Sequence, residues 1–237
     1  VKQKTAHLPV GTQAYMHLGD GRLMRPIQCF VSHTWGGAAA PLLTSVVEHG
    51  ERIVAAGGEE PGYYLDIAVV DQHQIDQAAA DSAMPFHVLM KEFLGKIKCA
   101  MEVVVVADPF NDPLAAKRMW CLFEVAMAKK EGVPIRVLVP KKEEMALREA
   151  VMGEGGHETL LRMMQSVDCS SATASVLEDE KNIRRLIEEV VEGGYGGVDR
   201  IFKDVLAEWI KGMMRVLLDT FEEGSWERER KTHVYIY

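Results

Sequence analysis

Basic residues are too few and too scattered for a nucleic-acid-binding protein. The chain of 237 residues has 27 Lys and Arg against 35 Asp and Glu, which gives a formal net charge of -8, and it has no basic block. Proteins that bind the phosphates of a nucleic acid need a concentrated positive surface. The composition therefore predicts no nucleic-acid partner.

Long apolar runs and paired cysteines are also missing. No apolar run reaches the roughly 20 residues that a helix needs to cross a bilayer, so no membrane span is expected. The four cysteines form no C-x-x-C pair and sit among apolar residues. They are predicted to be buried free thiols, which favours a reducing, cytoplasmic compartment. The chain begins at Val1, so a removed leader peptide remains an open alternative.

Several motifs of common enzyme classes are absent. The sequence has no G-x-G-x-x-G, no Walker A segment and no G-x-S-x-G elbow. These absences argue against a Rossmann cofactor site, a P-loop and a serine hydrolase. Asp71 and His73 offer two metal-ligand types without a third at a suitable spacing, so no metal site and no bound cofactor are predicted.

The chain alternates between short apolar runs and segments in which apolar residues recur with the spacing of a helix. Such alternation predicts right-handed βαβ crossovers, a mostly parallel five-stranded sheet and helices on both faces, which is a three-layer α/β fold. Strands are predicted at 27–32, 63–70, 101–107 and 135–139, with a fifth near 166–169. Helices are predicted at 41–56, 84–98, 143–152, 179–192 and 198–221, and around Glu124 as far as Gly132.

The predicted domain organisation has three parts. Residues 1–26 form an irregular lead-in, 27–175 the α/β domain, and 176–237 a helical C-terminal extension packed on the same domain. Asp179 is interpreted as a helix cap. The glycines at 193–197 are interpreted as a hinge between the last two helices.

The segment 101–128 is the one around which the rest is organised. It reads as a buried strand, then a loop rich in Pro, Asn and Asp, then a helix that carries Glu124 in its first turns. Open α/β sheets bind ligands at the carboxyl ends of their strands. Glu124 is therefore the most interesting carboxylate in the sequence.

Three segments together resemble a known family. They are CFVSHTWGG at 29–37, YYLDIAVVDQHQ at 63–74 and RMWCLFEVAMA at 118–128. The third resembles the W-C-L-x-E helix start of plant-type TIR domains, and the set resembles TIR-like relatives in protists and fungi, including heterokaryon-incompatibility-type domains. The resemblance covers 29–139 and implies a flavodoxin-like fold, NAD as a substrate and assembly into oligomers.

The resemblance also implies a set of site residues. Glu124 would be the carboxylate essential for cleavage of the nicotinamide–ribose bond. The predicted substrate-binding residues are Ser32, His33, Trp35, Asp66, Phe110, Arg118 and Trp120. Trp35 would stack on a base, His33 would bond a phosphate or ribose, and Phe110 and Arg118 would lie at the rim of the pocket.

Structural alternatives exist for these residues. Glu124 could be a first-turn acid favoured by the helix dipole. Trp35 could pack over the end of the sheet, and His33 could cap a loop. Asp66 lies in an apolar run, where a carboxylate is costly unless it is paired, and its expected partners are His33 or Arg118.

Two functions from different classes remain open. The first is an NAD hydrolase that cleaves the nicotinamide–ribose bond. The second is a non-catalytic interaction module or scaffold that keeps the fold without the pocket. The second is favoured by the loops that differ from the plant motif, such as SHTWGG in place of F-R-G-x-D, and by the long helical C-terminus.

Overall fold

A computed structural model describes residues 25–35, 37–69, 86–153 and 155–222. The strands of this part of the chain are β1 (Cys29–Ser32), β2 (Tyr63–Tyr64), β3 (Glu102–Val106) and β4 (Ile135–Leu138). The helices are α1 (Ala39–Ala55), α2 (Asp66–Val69), α3 (Phe86–Cys99), α4 (Met119–Lys130), α5 (Lys141–Met152), α6 (Gly156–Gln165), α7 (Leu177–Val190) and α8 (Gly194–Glu222). A 3-10 turn at Leu114–Lys117 precedes α4.

The strands form one parallel sheet in the order β2-β1-β3-β4. This confirms the predicted α/β class and the parallel pairing, and the order is compatible with a flavodoxin-like fold. The amino ends of three strands are in register, because Cys29 is paired with both Tyr63 and Glu102. The carboxyl ends of β1 and β3 lie side by side in the same way, with Ser32 opposite Val105.

The two faces of the sheet bury different cores, because successive side chains on a strand point to opposite faces. On one face Val31 and Val104 pack with Leu42 and Val46 of α1. On the other face Phe30 joins a much larger core. The alternation places Cys29 on the α1 face and Ser32 on the opposite face, which α4 covers.

Helix α4 is enclosed on nearly all sides. It packs against β1, β3 and β4 and is covered by α3, α7 and α8. Buried residues run almost continuously through it, from Met119 to Ala128. A helix that is apolar all round is expected in such an interior position, and any polar residue on it needs an explanation.

The predicted second strand is too long. Only Tyr63–Tyr64 pairs with β1, and a short helix begins at Asp66. The Asp66 carboxylate accepts the backbone N–H of Ile67 at 2.6 Å, and the Leu65 carbonyl accepts from Ala68 and Val69. These local bonds replace the sheet ladder, so Asp66 lies just past the strand end rather than inside a strand.

The predicted fifth strand near 166–169 is not formed. These residues lie in turns after α6. The Asp168 carboxylate accepts both the backbone N–H and the hydroxyl of Ser170, and the Cys169 N–H donates to Asp199. Backbone donors held by side chains in this way are lost to a sheet. An isolated parallel bridge between Arg118 and Thr173 lies nearby.

Two details of the C-terminal helices also differ from the prediction. Helix α7 begins at Leu177, so Asp179 lies in its first turn and is not the cap. Helix α8 begins at Gly194, so most of the predicted glycine hinge belongs to its first turn. A Cβ at Gly197 would lie 2.0 Å from the carbonyl oxygen of Glu192, so this glycine permits close packing rather than hinge motion.

Other predictions fall outside the described residues. They concern most of the lead-in, the polar segment 71–80, the residue Gly36, the first two residues of the predicted helix at 84–98 and the tail after residue 222. None of the helices that the structure describes is both long and apolar enough to cross a membrane.

Candidate functional site at the carboxyl ends of β1 and β3

The candidate site lies where the chain diverges from neighbouring strands of the sheet. From β1 the chain passes through α1 to β2 on one side, whereas β3 lies on the other side and leads into α4. This divergence creates the switch point at which open α/β sheets bind ligands. Ser32 ends β1 at this point, and His33 follows it.

Glu124 is buried on the face of α4 that meets this edge. Its residue exposure is 6 %, and no ion pair within 4.0 Å joins it to a described basic residue. It lies in the second turn of α4, whose first turn contains no acid. The helix dipole acts mainly on the first turn, so the alternative that it explains this carboxylate is not supported.

Burial and a neighbouring negative charge favour the protonated form of Glu124. Burial raises the pKa of its carboxyl to about 8, and the negative charge of Asp66 adds to the rise. The nearby Ser32 hydroxyl and the charges of His33 and Arg118 lower it in part. An acid in an apolar position with a raised pKa is neutral at pH 7 and can exchange a proton near that pH.

Three buried polar atoms of this edge lack a well-aligned hydrogen-bond partner among the described residues. They are Ser32 Oγ, His33 Nδ1 and Glu124 Oε2. Buried polar atoms in proteins are nearly always bonded, so each exception needs a reason.

His33, Asp66 and Trp35 form a connected group beside Glu124. His33 Nε2 lies 2.6 Å from Asp66 Oδ1, and Trp35 Nε1 donates to Asp66 Oδ2 at 2.8 Å. The prediction that Asp66 pairs with His33 is therefore confirmed. Burial lowers the pKa of His33, but the bond to Asp66 and the charges of Asp66 and Glu124 raise it more, so the net shift is upward.

The members of this group differ in exposure. The His33 side chain is 4 % exposed, whereas Trp35 is 40 % exposed. Cys121 lies under the group, and its thiol donates to the His33 carbonyl at 3.3 Å. Burial and the charge of Glu124 raise the pKa of Cys121, so this thiol packs and fixes the loop rather than acting as a nucleophile.

The remaining predicted residues are placed around this edge. The ring of Trp120 packs against Phe86 and Phe93 of α3, with ring centroids 6.3 and 5.4 Å away. Arg118 directly precedes α4 and donates to Ser175, and its charge lowers the pKa of Glu124. Phe110 is buried in the main core, and its N–H donates to Glu143 at 3.2 Å. Their roles in substrate binding remain predictions.

Sequence reasoning missed one neighbour of the site. Tyr64 stacks on Phe30 with ring centroids 5.2 Å apart. Burial and the charges of Asp66 and Glu124 raise the pKa of its hydroxyl. Tyr64 is the last residue of β2, and the carboxyl ends of parallel strands share one edge, so its position in the strand was the signal that could have identified it.

No protein-family model matches the chain, and no curated protein is significantly similar to it in sequence.

Proposed function

We propose that the protein hydrolyses NAD at the bond between nicotinamide and ribose, with Glu124 as the essential carboxylate, in a TIR-like domain of flavodoxin-like fold. The observation that carries the proposal is the position of Glu124. It is a buried acid with a raised pKa and an unpartnered oxygen, beside Ser32 and His33 at the carboxyl ends of β1 and β3. The resemblance of the W-C-L-x-E segment to plant-type TIR domains supports the choice of substrate.

The charge of the substrate suits this acid. The nicotinamide ring of NAD is cationic, and a cation beside a buried carboxyl favours its ionised form. On binding, Glu124 would release its proton to solvent and become a carboxylate. That carboxylate would oppose the positive charge that develops on the ribose as the C1′–N bond breaks, as the carboxylates of glycosidases do.

The reaction needs no acid for its leaving group. The electrons of the C1′–N bond pass to the nicotinamide nitrogen, and nicotinamide departs neutral. A water oxygen then bonds to C1′, and its proton leaves to solvent. The products are nicotinamide, ADP-ribose and one proton.

The neighbouring residues would position the substrate. The Ser32 hydroxyl and the free oxygen of Glu124 would bond ribose hydroxyls. The half-exposed Trp35 ring offers a surface on which a base can stack. Asp66 holds the ring of His33, and in its protonated state His33 would attract a phosphate.

The direct test is nicotinamide release from NAD by the wild-type protein, Glu124→Gln and Glu188→Gln. Glutamine matches the neutral acid in shape but cannot ionise, so we expect a loss of about 100-fold or more in rate. Glu188 is an exposed glutamate of α7, and its variant should retain the wild-type rate. The assay is run over a range of protein concentrations, because TIR-like domains are expected to assemble.

Two outcomes would contradict the proposal. Equal release by wild type and Glu124→Gln would remove Glu124 from the reaction. No release by the folded wild-type protein at any concentration would exclude the activity.

One observation favours a second candidate, a non-catalytic interaction module. Glu124 and His33 are both almost completely buried, and His33 is held by Asp66. A closed edge of this kind suits a structural group that fixes the loop after β1. Under this alternative NAD leaves the thermal unfolding midpoint unchanged, whereas under the first proposal bound NAD raises it.

A further inference from the structure

A second polar cluster lies at the opposite end of the sheet and on the opposite face. Cys29, Tyr63 and Glu102 begin three neighbouring strands and are paired in register. His49 of α1 lies over them, and Arg136 of β4 reaches the same point. These five residues are called the amino-end cluster.

Three metal-ligand types meet at one point of this cluster. Glu102 Oε1 lies 3.4 Å from Cys29 Sγ and 3.2 Å from His49 Nε2, and all three atoms lie within 4.8 Å of one another. Bonds of about 2.0 to 2.3 Å in a tetrahedral zinc site put its ligand atoms about 3.4 to 3.6 Å apart. The two distances to Glu102 Oε1 are within a few tenths of an ångström of these values, and Cys29 Sγ and His49 Nε2, which lie within 4.8 Å of each other, would move to about 3.6 Å apart on binding.

The pattern of hydrogen bonds leaves the same three atoms directed at one another. Arg136 donates to Glu102 Oε2 at 2.9 Å, so the other carboxylate oxygen is the one that faces Cys29 and His49. His49 Nε2 has no well-aligned hydrogen-bond partner among the described residues, although its side chain is only 5 % exposed. A buried imidazole nitrogen without a partner that faces a carboxylate oxygen is suited to a shared cation.

We propose that Cys29, His49 and Glu102 bind one divalent cation of the zinc class. A thiolate and an imidazole select zinc over magnesium or calcium, which prefer oxygen ligands. Binding would replace the S–H bond of Cys29 with a metal–sulfur bond and release the thiol proton to solvent. One coordination position would remain for a water molecule.

Tyr63 would act as a positioning residue for this ion. Its hydroxyl lies 2.8 Å from His49 Nδ1. When Nδ1 carries the proton and donates it to the Tyr63 oxygen, Nε2 presents a lone pair to the metal. Ligating histidines commonly have such a partner, and its loss typically lowers affinity by about 10- to 100-fold.

The test is a titration of the full chain with Co²⁺ after removal of metals by a chelator. We expect the near-ultraviolet absorption of a cobalt–thiolate bond and its loss when Zn²⁺ displaces cobalt. Cys29→Ser should abolish the absorption, and Tyr63→Phe should weaken binding about tenfold. The control is Cys99→Ser, because Cys99 is an exposed cysteine outside the cluster and its variant should behave as wild type.

A second measurement requires no variant in the cluster. Zn²⁺ should raise the thermal unfolding midpoint of the chelator-treated wild-type protein, because the ion binds the folded cluster, and a renewed addition of chelator should reverse the rise. The proposal is overturned if the folded protein shows no cobalt–thiolate absorption, or if a folded Cys29→Ser variant keeps it. An unfolding midpoint that Zn²⁺ leaves unchanged would overturn it as well.

Discussion

The two ends of the sheet place a glutamate in opposite electrostatic environments. At the carboxyl end, Glu124 has no well-aligned partner for Oε2, and burial raises its pKa to about 8. At the amino end, the close approach of His49 and the hydrogen bond from Arg136 outweigh burial and lower the pKa of Glu102 to about 2. Glu124 is buried and Glu102 is half-buried, so the comparison shows that depth and charged partners together decide whether a carboxyl is an acid or an ion.

The largest expected effect is on the stability of Glu124→Gln. The native protein disfavours ionised Glu124, so the wild type loses stability as the pH rises from about 4.5, the ordinary pKa of an exposed carboxyl, to about 8. Glutamine removes this penalty, which is at most about 5 kcal/mol because each pKa unit corresponds to about 1.4 kcal/mol. In urea unfolding at pH 5, 7 and 9, the free energy of unfolding of the variant should increase relative to that of the wild type as the pH rises.

A constant difference between these two proteins across the pH range would contradict the raised pKa. The control is Glu188→Gln, whose exposed side chain should give the same unfolding curves as wild type at each pH. Together the two variants separate the effect of burial from the effect of removing a charge.

The second largest effect has the opposite sign and belongs to Glu102. Its lowered pKa contributes stability at pH values above about 4.5, which is lost as the pH falls through about 2. In chelator-treated protein, Glu102→Gln should destabilise the fold by about 3 kcal/mol at pH 7 and by much less at pH 2. Acid and urea unfolding of both proteins measure the difference, and an unchanged penalty at pH 2 would show that the loss comes from packing.

Sequence reasoning named residues at the carboxyl ends of the strands but none as part of the amino-end cluster, and the reason is physical. Glu124, His33 and Ser32 stand just beyond or beside apolar runs, where the rule for parallel sheets expects ligands. The apolar runs and the positions of these residues relative to them therefore identified them. A partner for Asp66 was also expected, because a carboxylate in an apolar run requires one, and of the two candidates, His33 and Arg118, the structure shows a bond to His33.

The amino-end cluster could not be predicted because it depends on register. Cys29 and Glu102 are far apart in the sequence and meet only through the pairing of β1 with β3. His49 lies in a segment whose apolar spacing predicts only a helix, and nothing in that spacing indicates a metal ligand. A buried cysteine is usually a small apolar residue, so sequence alone favoured packing there.

Local hydrogen bonds explain where the predicted strands failed. The apolar run at 63–70 predicts a long strand, but the Asp66 carboxylate takes the N–H of Ile67 and starts a helix. The Asp168 side chain does the same to Ser170 in the predicted fifth strand. Hydrogen bonds from side chains to the backbone leave little trace in the spacing of apolar residues. Strand lengths predicted from that spacing alone are therefore too long.

A smaller effect is expected for Asp66→Asn, which tests what holds His33. The variant loses the charge and the charge-assisted bond that together raise the pKa of His33, so that pKa should fall. In the wild type this pair stabilises the fold below about pH 6.5, the ordinary pKa of an exposed histidine, and its contribution is lost as the pH rises through the higher native pKa. An NMR titration of the His33 ring measures the change, and an unchanged pKa would mean that Asp66 does not control it.

The smallest effect is expected for Trp35→Phe, which keeps an aromatic ring but removes the Nε1–H that donates to Asp66 Oδ2. Trp35 is 40 % exposed, so water can replace the lost donor and stability should change by less than about 1 kcal/mol. The Asp66 carboxylate then has one donor fewer and pairs more strongly with His33, so the pKa of His33 should rise, opposite to its fall in Asp66→Asn. An NMR titration that instead shows a fall would mean that Trp35 orients Asp66 toward His33, and the exposed ring would then support the loop in addition to offering a surface for a base.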